Sequence, residues 1–412
     1  MSAQLTAIAA PARVADAPVA SRRFALWFPL TVFVLTRVYG ALILQLLSHQ
    51  QSALDAGTKP GYHVHAALPA DPGYLGIITN WDGQWYQSIA SDGYRVLAPN
   101  APGAADALWE WAFPPTFPML TGLLMRTGVS FPWAATVVNG ITGAAAMVVV
   151  FALLNRAGGR FIAMSGVSLL CCFITAPLLQ AAYSESLALL LLGATLLALT
   201  TRRYGWAFVA IVLLAFTRIV TPPLAIVVVI HALARLRRRR EDPLARREVV
   251  AMGALAATSL AGALMWSSVA RALAPVPTGA TSRPQSLTGH LGWFSDAFTA
   301  LWWPGPVIVG LGILVLVLLA ARPPARAWGL EVRTWLWSYP LFILAVTPIT
   351  SGILRYLLLC FPLGLVVAGD PRTGPALRHR GLVVGGTCLL GLALQWWWVG
   401  QSFVIHPGSL MP

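Results

Sequence analysis

Asp82 is a single carboxylate in an aromatic setting, within Asn80 to Tyr94 (NWDGQWYQSIASDGY), soon after a long apolar run. Trp81, Trp85 and Ile89 recur at helical spacing and Gly93 is a suitable C-terminal stop, so the segment predicts a short helix starting near Asp82. Trp and Tyr favour the boundary between membrane and water. An amphipathic helix in that boundary keeps Asp82 in water while its apolar stripe rests on acyl chains, within reach of a lipid phosphate. A carboxylate so placed suits a general base that takes the proton of an attacking hydroxyl. The plainer alternative is helix capping, which Asn80 or Asp82 would serve equally well. Against capping alone stands the scarcity of acid, 14 Asp and Glu in 412 residues, most of them in evident linkers.

Three more ionisable residues lie within or at the ends of apolar runs: Glu185 in AYSESL, Arg218 in FTRIVTPP and Arg355 in LRYLLLCFP. Charge in such places is costly enough to imply a role. The always-charged, multi-donor guanidinium suits a lipid phosphate, with snorkelling to headgroups as the alternative. Glu185 either caps the following helix or pairs with an arginine. His63, His65 and His290 fall in loops, and His63 and His65 share a face only if extended. They lack carboxylate or Cys partners at ligand spacing, so no metal is expected. There is no Walker A sequence and no Gly-rich dinucleotide fingerprint, so no nucleotide site or cofactor is expected either.

The elements that must position these residues are membrane helices. Hydrophobic residues make up 57% and charged residues 10% of the chain, and many apolar runs approach the roughly 20 residues that cross a bilayer. The expected class is an all-α polytopic membrane protein with about 11 spans. These run over 24–47, 131–154, 161–181, 185–199, 205–216, 220–233, 249–269, 306–320, 334–346, 353–368 and 382–399, with 116–125 interfacial or re-entrant. Residues 217–223 (TRIVTPP) either break one long helix or separate two short ones.

The net charge of +14 would suggest nucleic acid in a soluble protein. Here the arginines cluster in short connections, including Arg235 to Arg247, and follow the positive-inside rule; no nucleic-acid partner is expected. That bias puts the N-terminus in the cytoplasm and the large first loop, 48–115, with Asp82, outside a cell membrane. Residues 1–21 read as a disordered cytoplasmic tail before an uncleaved first span, and 22–412 as one integral membrane domain. All four cysteines fall in expected spans, where they pack as small apolar residues rather than forming disulfides or a zinc site.

Several motifs in order resemble the GPI mannosyltransferase II (PIG-V) family of polyprenyl-phosphate-sugar-dependent glycosyltransferases, which have the GT-C fold. The family's Trp-Asp-x-x-Trp-Tyr segment ending in Gly-Tyr is similar to Trp81, Asp82, Trp85, Tyr86, Gly93 and Tyr94. Its Phe-Pro-rich segment is similar to Phe113, Pro114 and Pro118, its Tyr-Ser-Glu-Ser to Tyr183 through Ser186, and its late Arg-Tyr and Phe-Pro to Arg355, Tyr356, Phe361 and Pro362. Two features depart: Phe-Pro-Leu-Tyr-Pro becomes 113–118 without its tyrosine, and Thr221 replaces a glycine expected after the Thr-Arg pair.

The resemblance implies an inverting transfer of mannose from a polyprenyl-phosphate-mannose donor to a hydroxyl of a glycolipid, glycan or protein on the extracytoplasmic face, giving an α-linkage. Asp82 is then the catalytic base and Arg218 and Arg355 hold the donor phosphate. Trp81, Trp85, Tyr86, Tyr183, Glu185 and Tyr356 become the expected substrate-binding residues. A transporter or flippase of lipid-linked glycan intermediates is the rival, marked by inverted repeats and paired broken helices. A noncatalytic assembly partner is a third reading.

Overall fold

The computed structural model describes residues 21–59, 62–98, 101–274, 297–298, 302–347, 352–369 and 377–406. The expected tail, apart from Ser21, and His290 lie outside the described residues. Four helices are each long and apolar enough to cross a bilayer: α1 (Arg22–Ser48), α6 (Phe131–Cys171), α10 (Arg246–Leu273) and the run Leu377–Phe403, which comprises α15 (Leu377–Trp398) and a π turn. Leu35, Leu42, Leu260, Leu264, Leu389 and Leu390 are exposed on them. Outward leucines on this scale call for an apolar solvent, and the chain is a membrane protein.

The other expected spans are shorter helices or broken ones. They comprise α7 (Glu185–Thr200), α8 (Tyr204–Ala215), α9 (Pro222–Arg237), α11 (Pro304–Ala321) and α12 (Leu330–Val346). The run 353–368 is a series of single turns, including α13 (Ile353–Tyr356) and α14 (Leu365–Ala368), rather than one helix. Residues 216–221 are irregular, so TRIVTPP separates two short helices and α9 starts on its prolines.

α6 is not straight. Gly159, at φ 81° and ψ −177°, occupies a region open essentially to glycine alone, and there the helix reverses. Gly166 returns against Leu154, and Cys171 Sγ lies 3.4 Å from Met147 Sδ. Arg156 and Arg160 therefore sit at the turn, and Arg160 stacks 3.8 Å over the Phe24 ring at the start of α1. The second arm stops at Cys171, ten residues short of the expected end of its span, and 172–184 are irregular except for a 3-10 turn, Ala176–Leu179.

Irregular backbone at membrane depth survives only where protein satisfies it. Arg37 donates to the Ala176 carbonyl and, at 3.2 Å, to that of Cys171; Gln395 Nε2 donates to Cys171 (3.3 Å) and Phe173 (3.0 Å). Asn139 Nδ2 donates to the Ala181 carbonyl and to that of Tyr183 at 3.0 Å. Arg37 also places a cation at a helix C-terminus, where the dipole favours it.

These breaks create a recess. Ser186 packs against Gly143, and Gly193 against Val149 and Val150, so α7 runs alongside the first arm of α6. From Phe131 to Gly143, α6 rises roughly 18 Å above the start of α7. Thr221 likewise meets Gly262, beyond which α10 continues to Leu273, roughly 16 Å.

The expected outer loop is a folded layer. It holds an antiparallel hairpin of β1 (Gly57–Lys59) and β2 (Tyr62–Val64), with Thr58 opposite His63, and the short helices α2 (Gly73–Ile77), α3 (Asp82–Asp92) and α4 (Ala104–Glu110). α5 (Thr116–Met125) packs between α3 and α6, and Thr116 donates through N and Oγ1 to the Phe216 carbonyl (3.0 and 2.7 Å). Trp266 stacks on Trp111 at 5.8 Å and donates to its carbonyl at 2.8 Å, tying α10 to this layer.

The reversal of α6 yields a paired prediction. Gly159→Ala forces an L residue into glycine-only backbone and should destabilise the fold by about 1–3 kcal/mol. Gly140→Ala, in the same helix with nothing within 4 Å of the added methyl, should be neutral or stabilising. Unfolding in a denaturing-detergent titration measures both, and equal midpoints would remove the turn from Gly159.

Candidate active site

Asp82 is the first residue of α3, and Trp81 occupies the N-cap position at φ 56° and ψ −116° without a side-chain capping bond. The N-cap position thus falls to Trp81 rather than to Asn80 or Asp82. Asn80 Nδ2 turns away to donate to Gln51 Oε1 (2.7 Å) and the Phe403 carbonyl (3.0 Å), while the Asn80 carbonyl accepts from Gly83 N (3.1 Å) and the Tyr183 hydroxyl (3.1 Å). Trp81 Nε1 donates to the same Phe403 carbonyl at 3.2 Å. Left-handed backbone costs a non-glycine residue about 1–2 kcal/mol, and these contacts hold Trp81 in it. The consequence is positional: α3 starts abruptly and Asp82 points into the recess toward Arg355. Gly93 ends α3 at φ 74°, as the sequence predicts.

The recess joins four charges from four distant segments. Arg355 Nη2 lies 2.6 Å from Asp82 Oδ2, its Nε is 2.5 Å from Glu185 Oε1, and Arg218 Nη1 is 2.8 Å from that same oxygen. Side-chain exposure is 18% for Asp82, 13% for Arg218, 4% for Arg355 and 1% for Glu185. Neither arginine snorkels. Glu185 pairs with both, resolving its two sequence readings in favour of ion pairing. Two carboxylates and two guanidiniums balance, which is how a buried charged cluster avoids a large desolvation penalty.

The aromatic residues fall into two groups. The Tyr183 ring lies 4.5 Å beneath the Arg355 guanidinium, and the Tyr356 ring is 5.5 Å from that of Arg218, so both support the arginines through cation–π contact. Trp85 is buried in a stack with Trp109 (6.1 Å), Phe113 (6.2 Å) and His65 (5.2 Å). Tyr86 is also buried and donates to Ser184 Oγ at 3.0 Å. Trp85 and Tyr86 thus anchor α3 in its layer. Burial, reinforced by the Asp82 charge, pushes the Tyr86 hydroxyl up to about 12, so it stays protonated and acts as a donor.

Two features leave the cluster incomplete. Glu185 Oε2 is buried with no hydrogen-bond partner among the described residues, and a buried carboxylate oxygen without a donor is costly. Arg218 uses only Nη1, so its Nε and Nη2 have no partner among the described residues. A ligand with hydroxyl groups and an anionic group would satisfy both. His65 pairs with Asp106 at 3.2 Å, and no group of three or more metal-ligating side chains occurs among the described residues.

Sequence reasoning missed several residues that hold the cluster. Asn139 fastens the chain just before Glu185, and its signal was available as a lone amide in an apolar span. Arg37 was equally visible, a charge in the middle of the first span. Glu110, fully buried, accepts from Ser88 Oγ at 2.7 Å and from Arg95 Nε at 2.8 Å and so clamps α3 to α4; nothing in its local sequence marks it. Searches of protein-family models, of curated proteins and of solved structures find no match to this chain.

The shared oxygen makes the ion pairs interdependent. Glu185→Gln strips Arg218 of its carboxylate and should cost about 3–5 kcal/mol. Glu185→Gln combined with Arg218→Gln should cost less than the two single changes together by about 1 kcal/mol or more. A double-mutant cycle read by detergent-induced unfolding checks this, and strict additivity would separate the two residues.

Proposed function

We propose that this chain is an integral membrane glycosyltransferase of the GT-C kind that moves mannose from polyprenyl-phosphate-mannose to an acceptor hydroxyl with inversion. The observation that carries the reading is the Asp82–Arg355–Glu185–Arg218 cluster, in which the most exposed carboxylate is held by an arginine at the mouth of a recess. It is supported by the order of motifs along the sequence, whose four ionisable members are the residues of that cluster. About 11 crossings, with the arginine-bearing turns in the cytoplasm and the Asp82 layer outside the cell membrane, complete the proposed topology.

The chemistry follows from the charges. The acceptor oxygen attacks the anomeric carbon from the face opposite the phosphate and forms the new C–O bond. Asp82 receives the hydroxyl proton as the bond from the anomeric carbon to the phosphate oxygen breaks. Polyprenyl phosphate leaves with the bonding electron pair and one more negative charge, which the unused donors of Arg218 stabilise, so no acid is needed. Glu185 Oε2 is the acceptor for a sugar hydroxyl, and Tyr183 and Tyr356 keep the two guanidiniums in place.

One observation favours a second reading, a transporter or flippase of lipid-linked glycans. The second arm of α6 breaks off inside the bundle, and broken helices form many transport sites. Consumption of donor by purified protein distinguishes the two.

Radiolabelled polyprenyl-phosphate-mannose with membrane extract should yield mannosylated product, and Asp82→Asn should lower turnover at least roughly a hundredfold. Arg218→Gln should raise the KM for donor more than that for acceptor. A donor that stays intact but changes leaflet would establish transport instead. Activity should also withstand EDTA, because the guanidiniums supply the positive charge a divalent ion would bring; loss on chelation with rescue by Mg²⁺ would reject an arginine-only site.

A further inference from the structure

At the end of the bundle away from Asp82, the first turns of α8 and α10 frame a cavity of about 750 Å³. Arg202, Arg203 and Arg247 line it together with Glu248, Trp206, Val209 and Ala251, and Glu248 is paired with Arg235. α8 separates it from Arg218 by roughly 18 Å, so it is distinct from the cluster described above.

Its upper part is built for an anion. Arg202 forms the turn between α7 and α8 at φ 58°, keeping a charged side chain where backbone geometry favours glycine. Its Nη1 donates to Asp242 Oδ1 at 3.1 Å, its Nη2 donates to Oδ2, and Arg235 joins the same carboxylate and Glu248 (3.2 Å). That network fixes the rim and consumes both nearby acids. Arg203 and Arg247 are exposed and make no ion pair among the described residues. The first turn of α8 has no side-chain cap, so its amide groups add a partial positive charge on the same side.

Its lower part is apolar and open to the surroundings. Trp206 is 68% and Val209 47% exposed on α8. A soluble anion would use the arginines and leave this wall bare. A molecule with a phosphate head and acyl tails uses both.

We propose that this cavity binds the phosphate group of an anionic membrane phospholipid between Arg203, Arg247 and the start of α8, with its acyl chains along Trp206 and Val209. Basic pockets between membrane helices recognise lipid head groups in this way. The site does not depend on the catalytic reading and holds whether the chain is an enzyme or a transporter.

The test is equilibrium binding of fluorescent phosphatidylglycerol and phosphatidylcholine to the full chain in neutral detergent, read by anisotropy. Phosphatidylglycerol should bind at least roughly tenfold more tightly, and Arg203→Gln combined with Arg247→Gln should abolish that preference. Both side chains are exposed, so the fold should persist. Arg239→Gln with Arg240→Gln, which removes the same charge from exposed positions outside the cavity, should leave the preference intact. Equal binding of the two lipids, survival of the preference in the cavity variant, or equal loss in the control would each overturn the site. Displacement of the lipid by inorganic phosphate alone at comparable concentration would assign the arginines to a soluble anion and overturn the lipid.

Discussion

Glu185 is the constraint on which the half of the molecule around Asp82 depends. One buried carboxylate oxygen receives two guanidiniums, Arg218 from the α8–α9 junction and Arg355 from the turns that follow α12, and Arg355 passes the linkage on to Asp82. Each of those segments adjoins helices of fewer than 18 residues. Removing Glu185 would strip Arg218 of its carboxylate, leave Arg355 with Asp82 alone and give the cluster one excess positive charge, which is why a charge so costly to bury is retained. The cluster is therefore a structural junction and a candidate reaction centre at once. Its geometry is set before any substrate arrives, and preorganised charge is the usual source of electrostatic catalysis.

The broken helices extend the same logic. The second arm of α6 ends inside the bundle, and its terminal carbonyls are taken by Arg37 and Gln395 from the two helices flanking it. Asn139 then fastens the irregular chain two residues ahead of Glu185. In a bilayer these groups cannot turn to water, so each break needs a dedicated side chain. What results is a cluster of charged side chains between the ends of α6 and α10, with α3 and its aromatic neighbours packed beside it.

The two ends of the bundle are electrostatically different. Arginines crowd the turn at Gly159, the α7–α8 junction and the α9–α10 connection, whereas the opposite layer holds buried carboxylates such as Glu110 along with Asp82. The first arrangement suits anionic lipid surfaces and the second suits neutral and anionic sugar lipids drawn into a recess. Strain sits at both ends as well, in Trp81 and Arg202, two non-glycine residues at positive φ, the first preceding Asp82 of the charged cluster and the second lining the cavity at the start of α8.

Much of this was legible in the sequence. Composition established a helical membrane protein because long apolar runs have no other stable solvent. Asp82, Glu185, Arg218 and Arg355 stood out because charge is rare and costly in such runs, and the structure brings all four together. The helix after Trp81 and its stop at Gly93 followed from local periodicity and glycine chemistry. Tertiary structure alone decided that Trp81 takes the N-cap position of α3, since its left-handed backbone depends on Phe403 from the far end of the chain. It also decided that the arginines face carboxylates rather than headgroups, that Trp85 and Tyr86 are anchors, and that the second arm of α6 stops at Cys171. Hydropathy and helical period report what a segment does with its immediate neighbours and solvent; pairing between Asp82 and Arg355, or between Arg37 and a helix end, is fixed by which segments the packed bundle brings within hydrogen-bonding distance.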